Sequence, residues 1–190
     1  GVKHRHIFSC ENDEKVQTSI RANFAPEQLQ TDIKTTSMQH RPNVDVYVAG
    51  FPCQSFSSAG KQQGFDDDKG RGTIFFHILE YIKLKRPRVF ILENVKGLVT
   101  MENGKYYKQI MQKLKSIKTT EGAGAYEIHD TIINTQDYGI PQNRPRWYCI
   151  GIRTDVFKND ASHSSHFRFP KKLPCPPIEN FLDDTQGDKQ

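Results

Sequence analysis

The apolar run Val44-Asp45-Val46-Tyr47-Val48-Ala49 leads directly into Gly50-Phe51-Pro52-Cys53-Gln54. A short run rich in β-branched and aromatic residues forms a buried strand, and Pro52 restricts the turn that ends it. A second run, Arg88-Val89-Phe90-Ile91-Leu92, ends in Glu93-Asn94-Val95. Open α/β sheets expose their reactive groups at the carboxyl ends of their strands. A thiol and a carboxyl, each at a strand end, therefore make a candidate catalytic pair.

The rest of the chain supports such a sheet. Ile7 to Cys10 is a short strand, and the acidic Glu11-Asn12-Asp13-Glu14 after it suits a helix N-terminus. Val16, Ile20 and Phe24 recur at helical spacing, and that helix ends before Pro26. Thr31-Asp32-Ile33 opens a connecting segment. Residues 55–72 are polar and read as a long loop. Ile74, Phe75, Ile78, Ile82 and Leu84 describe a helix, and Tyr106, Ile110, Met111 and Leu114 another. Tyr126 to Ile133 and Arg146 to Ile152 read as a late strand pair around Asp137-Tyr138-Gly139-Ile140-Pro141. The alternation of strands and helices predicts an α/β fold with a mostly parallel sheet and flanking helices. Beyond about Asp155 the periodicity fades into a Pro-rich connector.

A chain of 190 residues suffices for one domain with a real core. Its net charge of +5 fits an anionic partner and fits a solvated lysine-rich surface equally well. None of the four cysteines is paired at a C-x-x-C spacing, and Cys10 and Cys149 lie in strand-like runs. Reduced core thiols in a reducing compartment follow. No apolar stretch approaches membrane-spanning length. His163 and His166 with Cys175 lack a second pair of ligands, so no metal site is expected.

Cys53 becomes a strong nucleophile if positive charge stabilises its thiolate, and Arg71, Arg144 and Arg146 are the candidate cations. The alternative is a buried structural thiol. Glu93 is costly to bury without a partner, and partial burial would suit it to proton donation. Its alternative is an exposed strand cap. Arg144 and Arg146, two residues apart in an extended strand, face the same way. Converging guanidinium groups bind a carboxylate, a phosphate or a polar base edge, unless the strand end is merely solvated. The small, polar loop from Ser55 to Gly64 is either a lid over substrate or simple disorder.

Taken together, Gly-Phe-Pro-Cys-Gln-Ser-Phe-Ser, Glu-Asn-Val and Gln-Asn-Arg-Pro-Arg occur in this order and at these intervals. They are joined by Gly-Lys-Gln-Gln-Gly-Phe, Arg-Gly-Thr-Ile-Phe-Phe and Asp-Tyr-Gly-Ile-Pro-Gln. The set resembles the cytosine-5 DNA methyltransferase family, most closely its bacterial restriction-modification type, from about Ile7 to Arg153. The resemblance implies a Rossmann-like S-adenosylmethionine-dependent methyltransferase sheet. It implies that Cys53 attacks carbon 6 of a cytosine and that Glu93 contacts the ring N3 and exocyclic amine. Carbon 5 then takes the methyl group from S-adenosyl-L-methionine. Arg146, with Arg144, would orient the base, which must be flipped out of double-stranded DNA. Asn94 would support the Glu93 turn. Glu11 matches the carboxylate that accepts the ribose hydroxyls, Asp32 and Ile33 the pair beside the adenine, and Phe51 and Pro52 residues near the cofactor pocket.

The resemblance also implies segments not found in these residues. They are a Phe-x-Gly-x-Gly segment and its strand before Ile7, a target-recognition region after Phe169, and a closing Gly-Asn segment. The expectation is therefore a catalytic domain lacking its first strand over residues 1–155, a connector over 156–190, and no activity from this stretch alone. Loss of the first strand should leave a gap beside the strand that ends at Cys10. The compartment would be the cytoplasm in a bacterium or the nucleus in a eukaryote, with no membrane and no obligate protein partner. Two alternatives remain. A tRNA-methylating relative usually has Pro-Pro before the cysteine, and Phe51 stands there instead. A non-catalytic nucleic-acid-binding relative should have lost Cys53 or Glu93, and both are present.

Overall fold

The computed structural model describes residues 3–52, 73–157 and 167–182. Its strands are β1 (Phe8–Cys10), β2 (Gln28–Gln30), β3 (Val46–Gly50), β4 (Val89–Val95), β5 (Tyr126–Asn134) and β6 (Pro145–Arg153). Its helices are α1 (Glu14–Asn23), α2 (Ile74–Lys85), α3 (Gly97–Thr100) and α4 (Lys105–Lys115).

Helix α1 starts where its acidic residues predict. The Asp13 carboxylate accepts the backbone N–H groups of Lys15 and Val16, satisfying donors that have no partner within the helix. Helix α2 ends at Arg86, whose positive φ of 49° closes the last turn just before Pro87. In α4 the residues Tyr106, Ile110, Met111 and Leu114 form one buried face, as their spacing requires.

Strands β3, β4, β6 and β5 make one sheet in that order. The mostly parallel sheet expected from the sequence needs a correction in its pairing. β3 and β4 pair in parallel, but β6 sits between β4 and β5 and runs antiparallel to both. The cause is local. Only residues 135–144 join β5 to β6, fewer than the dozen or more that a parallel crossover needs, so the chain returns antiparallel. Gly151 permits the close approach of β6 to β4, since a Cβ there would lie 2.1 Å from the ring of Phe90.

Helices α2 and α4 cover one face of this sheet. Tyr81 of α2 stacks on Tyr47 of β3 with centroids 4.2 Å apart, and Tyr107 of α4 meets Trp147 of β6 edge-on at 6.2 Å. Phe90, Leu92, Trp147 and Cys149 are fully buried beneath them. The carboxylate of Asp130 accepts from both Tyr107 Oη and Trp147 Nε1 at 2.9 Å, tying α4 to β5 and β6.

β1 and β2 pair only with each other, in parallel, and share no strand pairing with β3. Between them and β3 lies an open cleft of about 1860 Å³ lined by Phe8, Cys10, Ile20, Phe24, Val46 and Val48 among others. Val46 and Val48 are 54% and 66% exposed, high values for β-branched residues on a strand. Ile20 of α1 and Phe24 at its end line this cleft instead of entering the core, and Val16 stays exposed. The segment 167–182 is largely irregular and runs past β5. Phe167 packs on His129, and Leu173 donates its backbone N–H to Asp137 O at 2.9 Å. Among the described residues no helix is long and apolar enough to cross a membrane.

Candidate active site

The carboxyl ends of β3 and β4 lie side by side, because Gly50 pairs directly with Glu93. Beyond Gly50 the chain turns through Phe51 and Pro52. That turn is held from β4: buried Asn94 donates through Nδ2 to Phe51 O at 3.2 Å and accepts from Val95 N–H through Oδ1 at 2.8 Å. Asn94 thus supports the turn after β3 as well as its own strand end.

β6 begins at this same edge because it runs against β4. It carries Arg146, whose Nε lies 3.1 Å from Glu93 Oε1. The carboxylate thus has the partner that its position demands. Arg144, just before β6, is fixed through its backbone N–H to Asn134 Oδ1 at 2.8 Å. Asn134 in turn donates to Asn143 Oδ1 at 3.0 Å. Gly50, Phe51, Pro52, Glu93, Val95, Arg144 and Arg146 line one cavity of about 340 Å³, within the range of small-ligand sites. Two guanidinium groups and one carboxylate can there orient a polar ring and balance charge that develops on it.

Gly50 and Val95 contribute to this cavity without any signal of their own in the sequence. A Cβ on Gly50 would lie 3.3 Å from Glu93 Oε2, so glycine leaves the carboxylate its room. Only the strand register reveals that role. Cys53, Arg71 and the polar loop of residues 55–72 lie outside the described residues, as do His163 and His166. Among the described residues no group of three potential metal ligands occurs.

The larger cleft gathers Glu11, Asp32, Ile33, Gly50 and Pro52. Phe51 is not on it; its ring is buried against Phe75, and it lines the smaller cavity. Glu11 follows β1, and its Oε1 accepts from Asp13 N–H at 2.9 Å. Asp32 follows β2, and its Oδ1 accepts from Lys34 N–H at 2.8 Å. Among the described residues neither carboxylate forms an ion pair. Burial pushes the Cys10 thiol above its usual range, with Arg41 opposing that shift. Burial, reinforced by Asp130, does the same to Cys149. Neither thiol is suited to nucleophilic attack.

The profile of the C-5 cytosine-specific DNA methylases matches residues 1–189. The Type II methyltransferase M1.ScrFI of Lactococcus lactis subsp. cremoris is 40% identical over 171 residues, which is 90% of this chain and 40% of that protein. M.HaeII of Haemophilus aegyptius is 39% identical over 169 residues, covering 89% of this chain and 47% of the relative. M.HhaI of Haemophilus parahaemolyticus is 38% identical over 165 residues, covering 87% and 46%. The chain therefore spans less than half the length of these relatives.

Solved structures share the fold. The Spodoptera frugiperda DNMT2 structure aligns with a TM-score of 0.67 at 22% identity, over 94% of this chain and 52% of that one. The Entamoeba histolytica methyltransferase EhMeth aligns at 0.64 and 20% identity, over 93% and 51%. By a match that runs almost end to end, this chain belongs to the C-5 cytosine-specific DNA methylase family.

Proposed function

We propose that this chain carries the catalytic centre for methyl transfer from S-adenosylmethionine to carbon 5 of a flipped cytosine in double-stranded DNA. The observation that carries this reading is the convergence of Glu93 and Arg146 on the Gly50-Phe51-Pro52 turn, one residue before Cys53. The Cys53 thiolate adds to carbon 6 of the ring. The displaced electron pair moves toward N3, where Glu93 contacts N3 and the exocyclic amine. Carbon 5 is thereby made nucleophilic. Arg146 holds the Glu93 carboxylate in place and, with Arg144, orients the base. S-adenosylmethionine, when bound, supplies an activated methyl group for carbon 5. The carbon 5 proton then passes to a base, the Cys53–carbon bond breaks, and 5-methylcytosine leaves with its ring restored.

The larger cleft fits this cofactor. Glu11 would accept the ribose hydroxyls and Asp32 the adenine amine, with Ile33 beside the ring and Pro52 near the pocket. Carboxylates at strand ends serve that purpose in other nucleotide-binding sheets. Residues 1–155 would form the catalytic part and 156–190 a connector.

Trapping tests the reading. The full-length protein, supplied with cofactor and duplex DNA containing 5-fluorocytosine, should form a covalent adduct that Cys53→Ser abolishes. Equal trapping by both proteins would remove Cys53 from its role. Methylation of tRNA but not of duplex DNA would overturn the substrate.

A further inference from the structure

We propose that Arg41 is a positioning residue for the adenine end of the cofactor, holding the Asp32–Thr36 turn so that the Asp32 carboxylate is aimed into the cleft. The inference rests on the reading of Asp32 given above.

Arg41 is 2% exposed, the only buried charged side chain among the described residues. Its guanidinium forms no ion pair there. Instead Nη2 donates to Ile33 O at 2.7 Å and to Thr36 O at 3.2 Å, and the guanidinium also faces the Cys10 thiol, while among the described residues Nε and Nη1 make no close hydrogen bond. A buried cation without a carboxylate carries a large desolvation cost, which a plain packing residue would avoid. What the guanidinium does here is bridge two carbonyls of one turn, a task for a planar fork of donors.

The turn and its anchor form one connected unit. Asp32 opens it, with its Oδ1 accepting from Lys34 N–H and its carbonyl from Thr36 N–H at 3.4 Å. At the other end Tyr81 donates to Pro42 O at 2.7 Å and Lys85 to Gln39 O at 3.1 Å. Helix α2 thereby fixes the backbone on both sides of Arg41, and Arg41 fixes Ile33 and Thr36. Asp32 and Ile33 both line the cleft, and Cys10 beside them feels the charge of Arg41 and of Asp32 alike. The cation thus sets the pose of the turn through its two backbone carbonyls.

The test uses the full-length protein with Arg41→Met, Arg41→Lys and Asp32→Asn, alone and combined, and S-adenosylhomocysteine as the probe. Arg41→Met should raise the dissociation constant about tenfold, the effect of losing hydrogen bonds from a charged donor. The KM for cofactor should rise with it, while kcat at saturating cofactor stays close to wild type. Arg41→Lys, which keeps the charge and reaches one carbonyl, should recover part of the loss. In the Asp32→Asn background the Arg41→Met effect should shrink, because both changes act through one contact. A purely structural role would lower thermal stability without this coupling. Undiminished affinity in Arg41→Met, or the same fold loss with and without Asp32, would overturn the proposal. Should Arg41→Met fail to fold, Arg41→Lys carries the same comparison. If the wild-type protein itself binds no S-adenosylhomocysteine, the assignment of the cleft falls, and Arg41 with it.

Discussion

Arg146 reaches Glu93 on a diagonal: its Nε lies 3.1 Å from Glu93 Oε1, although the register sets Arg146 opposite Val95 and Glu93 opposite Tyr148. Diagonal neighbours across an antiparallel pair lie within reach of long side chains. The offset carries the guanidinium over the end of the cavity that Gly50 borders.

Arg146→Ala should act on both catalysis and stability. Both partners are more than two-thirds buried, so leaving Glu93 unpaired should cost the folded state about 1–3 kcal/mol. Single-turnover methylation should slow by ~10²-fold, the scale of removing one preorganised donor. Arg146→Lys should restore only part of that rate, because an ammonium cannot reproduce the fork. Wild-type rates in Arg146→Ala would show that the pair is structural.

Asn94→Leu should loosen the Phe51–Pro52 turn. It leaves Phe51 O and Val95 N–H buried without the partners that Asn94 provides. Each such orphan costs about 1–3 kcal/mol. Chemical denaturation should report the lost stability, and 5-fluorocytosine trapping should slow at temperatures where the variant is still folded.

Gly151→Ala should be among the more damaging single-methyl additions. The new Cβ would overlap the Phe90 ring, with two ring atoms at 2.1 Å. Overpacking of this kind costs about 1–3 kcal/mol or more. Phe90→Leu in the same protein should relieve part of the loss, giving a favourable coupling in a double-mutant cycle.

Alkaline pH should unfold the protein through its buried phenols. Burial pushes Tyr81 up to about 12, and burial together with the Asp130 hydrogen bond pushes Tyr107 up to about 12. Both folded values lie above the ordinary value of 10. Their stabilisation is fully present below about pH 10, where the unfolded chain also holds its phenolic protons, and is lost as pH rises toward 12. Urea midpoints should fall across that window. Tyr81→Phe and Tyr107→Phe should each flatten the fall.

The strand ends at Gly50 and Glu93 were legible because an apolar strand run carries its own signature and the motif follows it at once, although one face of β3 proves exposed. The same holds for α4, where periodicity decides the buried face. β2 was not legible: Gln28, Leu29 and Gln30 form a three-residue polar strand that exists only because β1 lies beside it. The stripe of Val16, Ile20 and Phe24 announced a helix, but could not tell that Ile20 and Phe24 line an open cleft. The spacing of Arg144 and Arg146 puts them on one face, while the carboxylate that Arg146 meets follows only from where β6 enters the sheet. Arg41 gave no signal, because an arginine before Pro42 in a polar stretch looks like any solvated charge until its burial is known.

The insertion of β6 between β4 and β5 also gives the two halves of the site different histories during folding. Its arginines arrive by a hairpin, a local closure of the kind that completes in microseconds. The Gly50–Glu93 pairing instead needs a parallel crossover through α2, a non-local contact that must first overcome loop-closure entropy. Hydrogen-exchange labelling during refolding should protect β5 and β6 before β3, so that the basic arm of the site stands waiting when the strand leading to Cys53 docks.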